Sequence, residues 1–95
     1  MKVHELKCWP ESFEAIVWNR KKHEVRNNDR GYECGDLLLL RCWDPASESY
    51  NGLWALAEVT YVQRAGEGPA GSLLTADAVV MSIRLVRLEY PVSSS

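Results

Sequence analysis

The 95-residue sequence has a single Phe, three Cys and no apolar run approaching the roughly 20 residues that cross a bilayer. With no apolar stretch after its first residues either, it predicts a cytoplasmic protein that makes no membrane contact. The cysteines, Cys8, Cys34 and Cys42, are odd in number and form no Cys-x-x-Cys pair, which predicts reduced thiols and no disulfide. His4 and Cys8 would stand next to each other only on a helix, one turn apart, and their segment alternates like a strand, so no metal and no cofactor is expected. A general excess of positive charge is also missing. The formal net charge is −2 and the pI near 5.6, which counts against a protein that grips long nucleic acid through its phosphates. The Gly-rich segment Ala65–Gly71 is not followed by Lys-Ser or Lys-Thr, so it is no phosphate-binding loop, and it reads as a hairpin loop. Internal repeats and a βαβ rhythm are absent as well.

What is present is an ordinary globular composition, 46% hydrophobic and 25% charged, of a length that supports one core. Charge is unevenly spread. Residues 20–30 hold five basic side chains (Arg20, Lys21, Lys22, Arg26, Arg30) against two acidic ones (Glu24, Asp29), a local +3 that leaves −5 for the rest. A basic spot on an acidic body suits a short strand, a nucleotide or one phosphate group better than a duplex. As a strand, this stretch would lay Lys22, Glu24 and Arg26 along one face. Such a row fits a polar, partly anionic ligand, and it fits a solvated strand face equally well.

Along the chain, Val3–Lys7 alternates as a first strand, with His4 and Leu6 on one face. Trp9-Pro10-Glu11-Ser12 marks a helix start, because Pro suits the first helical position and Glu11 complements the dipole. Phe13, Ile16 and Val17 form its apolar face, and Asn19 is a candidate left-handed terminator. Glu33–Asp36 reads as a turn, and Leu37–Trp43 as a strand covered on two sides. Asp44–Gly52 reads as a turn-rich connection ending in Asn51-Gly52. Leu53–Gln63 then places Ala55, Ala57, Val59 and Tyr61 on one side, and Ala78–Glu89 places Val79, Met81, Ile83 and Leu85 together. Pro91–Ser95 reads as a frayed tail after a single domain over residues 1–90. The expected fold is α+β, mainly β: a small twisted barrel of five to six strands, capped by one N-terminal helix and closed so that no edge is exposed.

The ordered series His4-Glu5-Leu6-Lys7, Trp9-Pro10, Phe13-Glu14-Ala15-Ile16, Lys21-x-x-Glu24-Val25-Arg26-x-Asn28-Asp29-Arg30, Gly35-Asp36-Leu37-Leu38-x-Leu40-Arg41, Trp43-Asp44-Pro45, Tyr50-x-Gly52, Val59–Val62 and Val79–Ile83 resembles the small prokaryotic and phage branch of the ASCH domains. These belong to the PUA-like superfamily, and the branch is itself similar to a domain of unknown function. The resemblance covers residues 3 to about 85. It implies a PUA-like barrel with a cleft between barrel and helix, and a role in binding RNA or a modified nucleotide. In the family, residues 19–24 usually read Gly-x-Lys-Thr-x-Glu, so Asn19 and Lys22 replace a Gly and a Thr. One ASCH subgroup resembles an amidohydrolase of acetylated cytidine, with a Lys, a Thr and a distant Glu as its catalytic set. Lys21 matches that Lys, but Glu24 stands where the nucleophilic Thr would be, and a carboxylate does not replace a hydroxyl in the same mechanism.

The candidate ligand-binding residues are therefore Lys21, Glu24, Arg26, Asn28, Asp29 and Arg30, with Trp9 and Trp43 as stacking surfaces. Lys21 would meet a phosphate or carbonyl oxygen, or else lie along the barrel rim. Arg26 would fork onto a phosphate or base edge, or pair with Glu24 or Asp29. Glu24 would accept from an exocyclic amine or, with Lys21, take part in catalysis if the chain is an enzyme. A Trp beside a helix start or at a strand end is more often a packing residue than a stacking surface. The reading leans toward a non-catalytic module for short single-stranded RNA or a nucleotide. A hydrolase of modified nucleosides or RNA is one alternative, and a phage or host protein-interaction module using Trp18 is the other.

Overall fold

A computed structural model describes residues 1–89; the tail read at Pro91–Ser95 lies outside the described residues. Strand β1 (Val3–Cys8) alternates as its sequence predicts, burying His4, Leu6 and Cys8 and exposing Val3, Glu5 and Lys7. Helix α1 (Pro10–Val17) begins at the predicted Pro, carries Glu11 in its first turn and buries Phe13 and Ile16. Asn19, at φ 61°, terminates it in the left-handed region that Asn tolerates. The remaining elements are β2 (His23–Asn27), β3 (Leu37–Asp44), β4 (Ser49–Arg64), a single helical turn α2 (Gly68–Gly71) and β5 (Ala78–Glu89).

The five strands form one sheet in the order β1-β3-β4-β5-β2, with β1 parallel to β3 and every other pairing antiparallel. The sheet curls into a half-barrel around Leu38, Leu40, Ala55, Ala57, Val59, Val79 and Met81, all fully buried, and α1 packs against β3 and β5. Two alanines at the centre of β4 let the sheet curve tightly without crowding the core. The fold is thus α+β and mainly β, as expected.

Several local expectations are corrected. The barrel is not closed by a ladder: among the described residues no strand pairing joins β1 to β2. Long basic side chains span the gap instead, because a guanidinium carries donors at the end of a flexible stem. Arg26 Nη2 donates to the Lys7 carbonyl at 2.7 Å, Arg30 Nη1 to the Glu5 carbonyl at 2.9 Å and Lys2 Nζ to the Gly31 carbonyl at 2.7 Å. Asn51-Gly52 lies inside β4 and not in the turn. The pairing shifts register between Arg41 and Trp43, and the extra residues there bulge, with Gly52 at φ 91° and Asn51 bonded to Cys42 Sγ. A second shift between Val59 and Tyr61 breaks the alternation, so Tyr61 is 61% exposed and does not join Ala55, Ala57 and Val59. The outer residues of β3, Leu37 and Leu39, are only half-buried, so one face of that strand is core and the other partly covered. The Gly-rich hairpin loop contains the turn of helix α2.

One buried carboxylate, which sequence reading passed over, ties the start of the chain to the turn before β3. Asp36 accepts hydrogen bonds from the Lys2 N–H (3.1 Å), the Glu33 N–H (3.0 Å) and His4 Nε2 (2.9 Å). Burial alone would raise its pKa, but the bonds from His4, Lys2 and Glu33 outweigh burial and hold it at about 2, below the ordinary 3.8. A group depressed in this way stabilises the fold fully above its ordinary value, and that contribution disappears as pH falls toward 2. Acid titration followed by circular dichroism should show stability falling between about pH 4 and 2. In Asp36→Ala that part of the acid dependence should vanish, and stability at neutral pH should drop by about 1–3 kcal/mol as three donors lose their acceptor.

Candidate functional site

Glu24 is the organising residue of the site. Alternation along β2 turns it inward, where it is 3% exposed, and a buried carboxylate is tolerated only when paired. Its neighbours satisfy it from two sides. Lys21 Nζ lies 3.4 Å from Oε1, and Arg26 Nε donates to Oε2 at 3.0 Å. Lys21 arrives from the turn after α1, where the Arg20 and Lys21 N–H groups both donate to the Ala15 carbonyl. Its ammonium also donates to the Ser12 hydroxyl on α1. The expected row of Lys22, Glu24 and Arg26 therefore does not form. Lys22 precedes the strand and lines a separate surface hollow with Arg84 and Leu85, and Lys21 takes its place because only its side chain reaches the buried carboxylate.

Around this cluster opens a cleft of about 310 Å³ lined by Cys8, Trp9, Ser12, Lys21, Glu24 and Arg26, together with Lys7 and Val25. Its walls are the first turn of α1, the end of β1 and the inner side of β2. Trp9 is 57% exposed at the rim. Arg26 uses Nε on Glu24 and Nη2 on the Lys7 carbonyl, and Nη1 takes part in neither bond. The cleft thus presents one shared negative charge, two cations with donor capacity left over, a hydroxyl and an indole.

Of the eight residues expected to bind a ligand, the structure brings Trp9, Lys21, Glu24 and Arg26 into this cleft. Asp29 and Arg30 sit beside it, lining a smaller hollow with Arg26 and Tyr32. Asn28 is exposed, and its N–H continues the sheet by donating to the Asp77 carbonyl. Trp43 lies apart on β3, with the Lys7 ammonium 4.3 Å from its ring centroid. Trp18 is exposed, as its place outside the apolar face of α1 predicts. Ser12 and Cys8 were passed over. The signal for Cys8 was available, since it is the third inward residue of β1 after His4 and Leu6 and so points where Glu24 points. Ser12 carries no such signal, because its contact depends on where the chain returns after Asn19.

Cys8 is no nucleophile here. Burial, reinforced by the nearby Glu24 carboxylate, pushes its thiol up to about 11, and Ser12, Lys21 and Arg26 only partly oppose this. Against the ordinary 9.0, its thiolate fraction at neutral pH falls on the order of 100-fold. Iodoacetamide at pH 8, read by peptide mass mapping, should therefore modify exposed Cys34 first and reach Cys8 at a comparable rate only after unfolding. Rapid alkylation of Cys8 in the native chain would contradict this geometry.

Among the described residues no helix is long and apolar enough to cross a membrane, and no group of three or more His, Cys, Asp or Glu side chains is placed to hold a metal ion. Residues 3–83 match a family described as Domain of unknown function (DUF3850). A stretch of 42 residues is 40% identical to the "Uncharacterized 12.9 kDa protein in GpA 3'region" of Escherichia phage P2. That stretch covers 44% of this chain and 38% of the phage protein, so the likeness spans well under half of the relative's length. With the family match running from the first strand into the last, the chain belongs to the DUF3850 family of domains of unknown function.

Proposed function

We propose that this domain binds short single-stranded RNA or a nucleotide in the cleft between α1 and the edges of β1 and β2. The observation that carries the reading is the meeting, in one open cleft, of Lys21 and Arg26 with the exposed indole of Trp9. Cations with donor capacity suit a phosphate or a base edge, and an exposed indole suits the face of a base. Glu24 holds both cations in place and leaves the cluster with a surplus positive charge. The likeness to ASCH domains of the PUA-like superfamily supports the same class of ligand and the same position between helix and barrel.

A hydrolase is the second reading, favoured by one contact. The hydroxyl missing at position 24 is supplied from α1 by Ser12, which touches the Lys21 ammonium, which in turn touches Glu24. With Ser12 Oγ as nucleophile, its proton would pass by way of Lys21 to the amine leaving the acyl carbon, and water would then release the acyl group from the serine.

Binding is tested by fluorescence anisotropy with labelled short RNA and nucleoside phosphates. Trp9→Ala should weaken binding about 5- to 100-fold with little change in melting temperature, because the ring is exposed. Lys21→Ala should weaken it as well. Arg26→Ala should lose binding and also lower the melting temperature, since this side chain spans the gap to β1. Absence of binding by the wild-type chain, or equal binding by Trp9→Ala and Lys21→Ala, would remove the proposal. For the hydrolase reading, turnover of acylated cytidines or single-stranded RNA should disappear in Ser12→Ala; no turnover across that panel would exclude it.

A further inference from the structure

Three hollows open beside the unpaired gap between β1 and β2, and the same side chains recur in them. The first is the cleft already described. The second, about 150 Å³, is lined by Arg26, Asp29, Arg30 and Tyr32 among others. The third, about 400 Å³, is lined by Glu5, Lys7, Arg26, Arg30 and Tyr50 together with Leu6. Arg26 borders all three, Arg30 the second and third, and Lys7 the first and third. They are therefore segments of one groove. At about 3.3 Å per strand residue, the stretch from Glu5 to Trp9 alone runs for about 13 Å.

Trp9, 57% exposed, lines the first hollow and Tyr50, 39% exposed, the third, and Arg26 lines both. Tyr50 is steadied by the Arg41 guanidinium, 3.9 Å from its ring centroid, and Arg41 is itself held by Glu5 at 2.8 Å. Trp43 lines none of the three hollows, whereas Tyr50 lines the third. Lys7, Lys21, Arg26 and Arg30 line the path against Glu5, Glu24 and Asp29, so the groove is net positive on a chain of net −2. A lone nucleoside monophosphate in the first cleft would leave Arg30 and Tyr50 unused.

We infer that the groove holds a short single strand of nucleic acid, roughly two to four nucleotides at about 3.4 Å or more each, with one base on Trp9, another on Tyr50 and the backbone along Arg26 and Arg30. The inference rests on the binding reading above and adds to it the length of the ligand and a second stacking platform. A duplex hides its base faces and offers neither platform a partner. With about two phosphates contacted, the logarithm of the binding constant should fall with the logarithm of salt at a slope near −1.4, shallow for a nucleic-acid binder.

The test is a ladder of labelled RNA and DNA oligonucleotides from one to six residues, titrated with the full chain by anisotropy. Affinity should climb at least tenfold between one and about three or four residues and then level off, on either sugar. Tyr50→Ala should bring tetranucleotide affinity down to near that of the mononucleotide, and Tyr50→Phe, which keeps the ring, should restore the climb. Equal affinity for mono- and tetranucleotides would overturn the inference while leaving the binding reading intact, as would a length dependence that survives Tyr50→Ala. Equal binding of a duplex would overturn it too. Failure to bind any rung would overturn both.

Discussion

A carboxylate turned into the wall of a half-barrel must be met by positive charge, and Glu24 imposes that demand on everything near it. A lone buried charge costs several kcal/mol, so the chain has to deliver cations to it from whatever elements lie within reach. Lys21 comes from the exit of α1 and Arg26 from the same strand two residues on. Once Arg26 is fixed by Glu24, its second nitrogen reaches across to the end of β1. A single electrostatic requirement therefore sets the positions of the helix exit, β2 and the end of β1 relative to one another around the cleft.

The second buried carboxylate is handled in the opposite way. Asp36 is satisfied by two backbone N–H groups and an imidazole, held by the pairing of β1 with β3 and by the turn before β3. Glu24 is satisfied by long side chains with rotatable stems. The end of the gap near Asp36 is consequently rigid, whereas the end near Glu24 is held by groups that can exchange one oxygen for another. The proposed ligand recognition relies on the second kind of site, since a cation can turn from the protein's own oxygen to a ligand's without moving backbone.

Most of the strand and helix pattern was legible because it rests on local rules. Period-two alternation located His4, Leu6 and Cys8 inside, and the Pro10 start and Asn19 terminator bracketed α1. Misreadings came where inserted residues interrupt the regular ladder. The shift after Val59 turned Tyr61 outward, and the shift near Cys42 absorbed Asn51-Gly52 into a strand, although that dipeptide is a turn signal in isolation. The site was half legible. Its residue types and neighbourhood were visible as a cluster of charge, but which lysine reaches Glu24 depends on the path after the helix, and the contacts of Ser12 with Lys21 and of Tyr50 with Arg41 cross a turn that periodicity does not describe.

The guanidinium bridges across the gap also bear on how copies of this chain behave toward one another. The outer edge of β1 would otherwise offer a row of bare carbonyl oxygens, a template on which a strand from a second molecule could pair. Arg26 and Arg30 occupy the carbonyls of Lys7 and Glu5, alternate positions on that edge, and place charge directly over it. An incoming strand would have to displace both arginines before forming its first two bonds. The two residues thus guard an unclosed barrel against edge-to-edge aggregation, a protection that a fully laddered barrel obtains from its geometry alone.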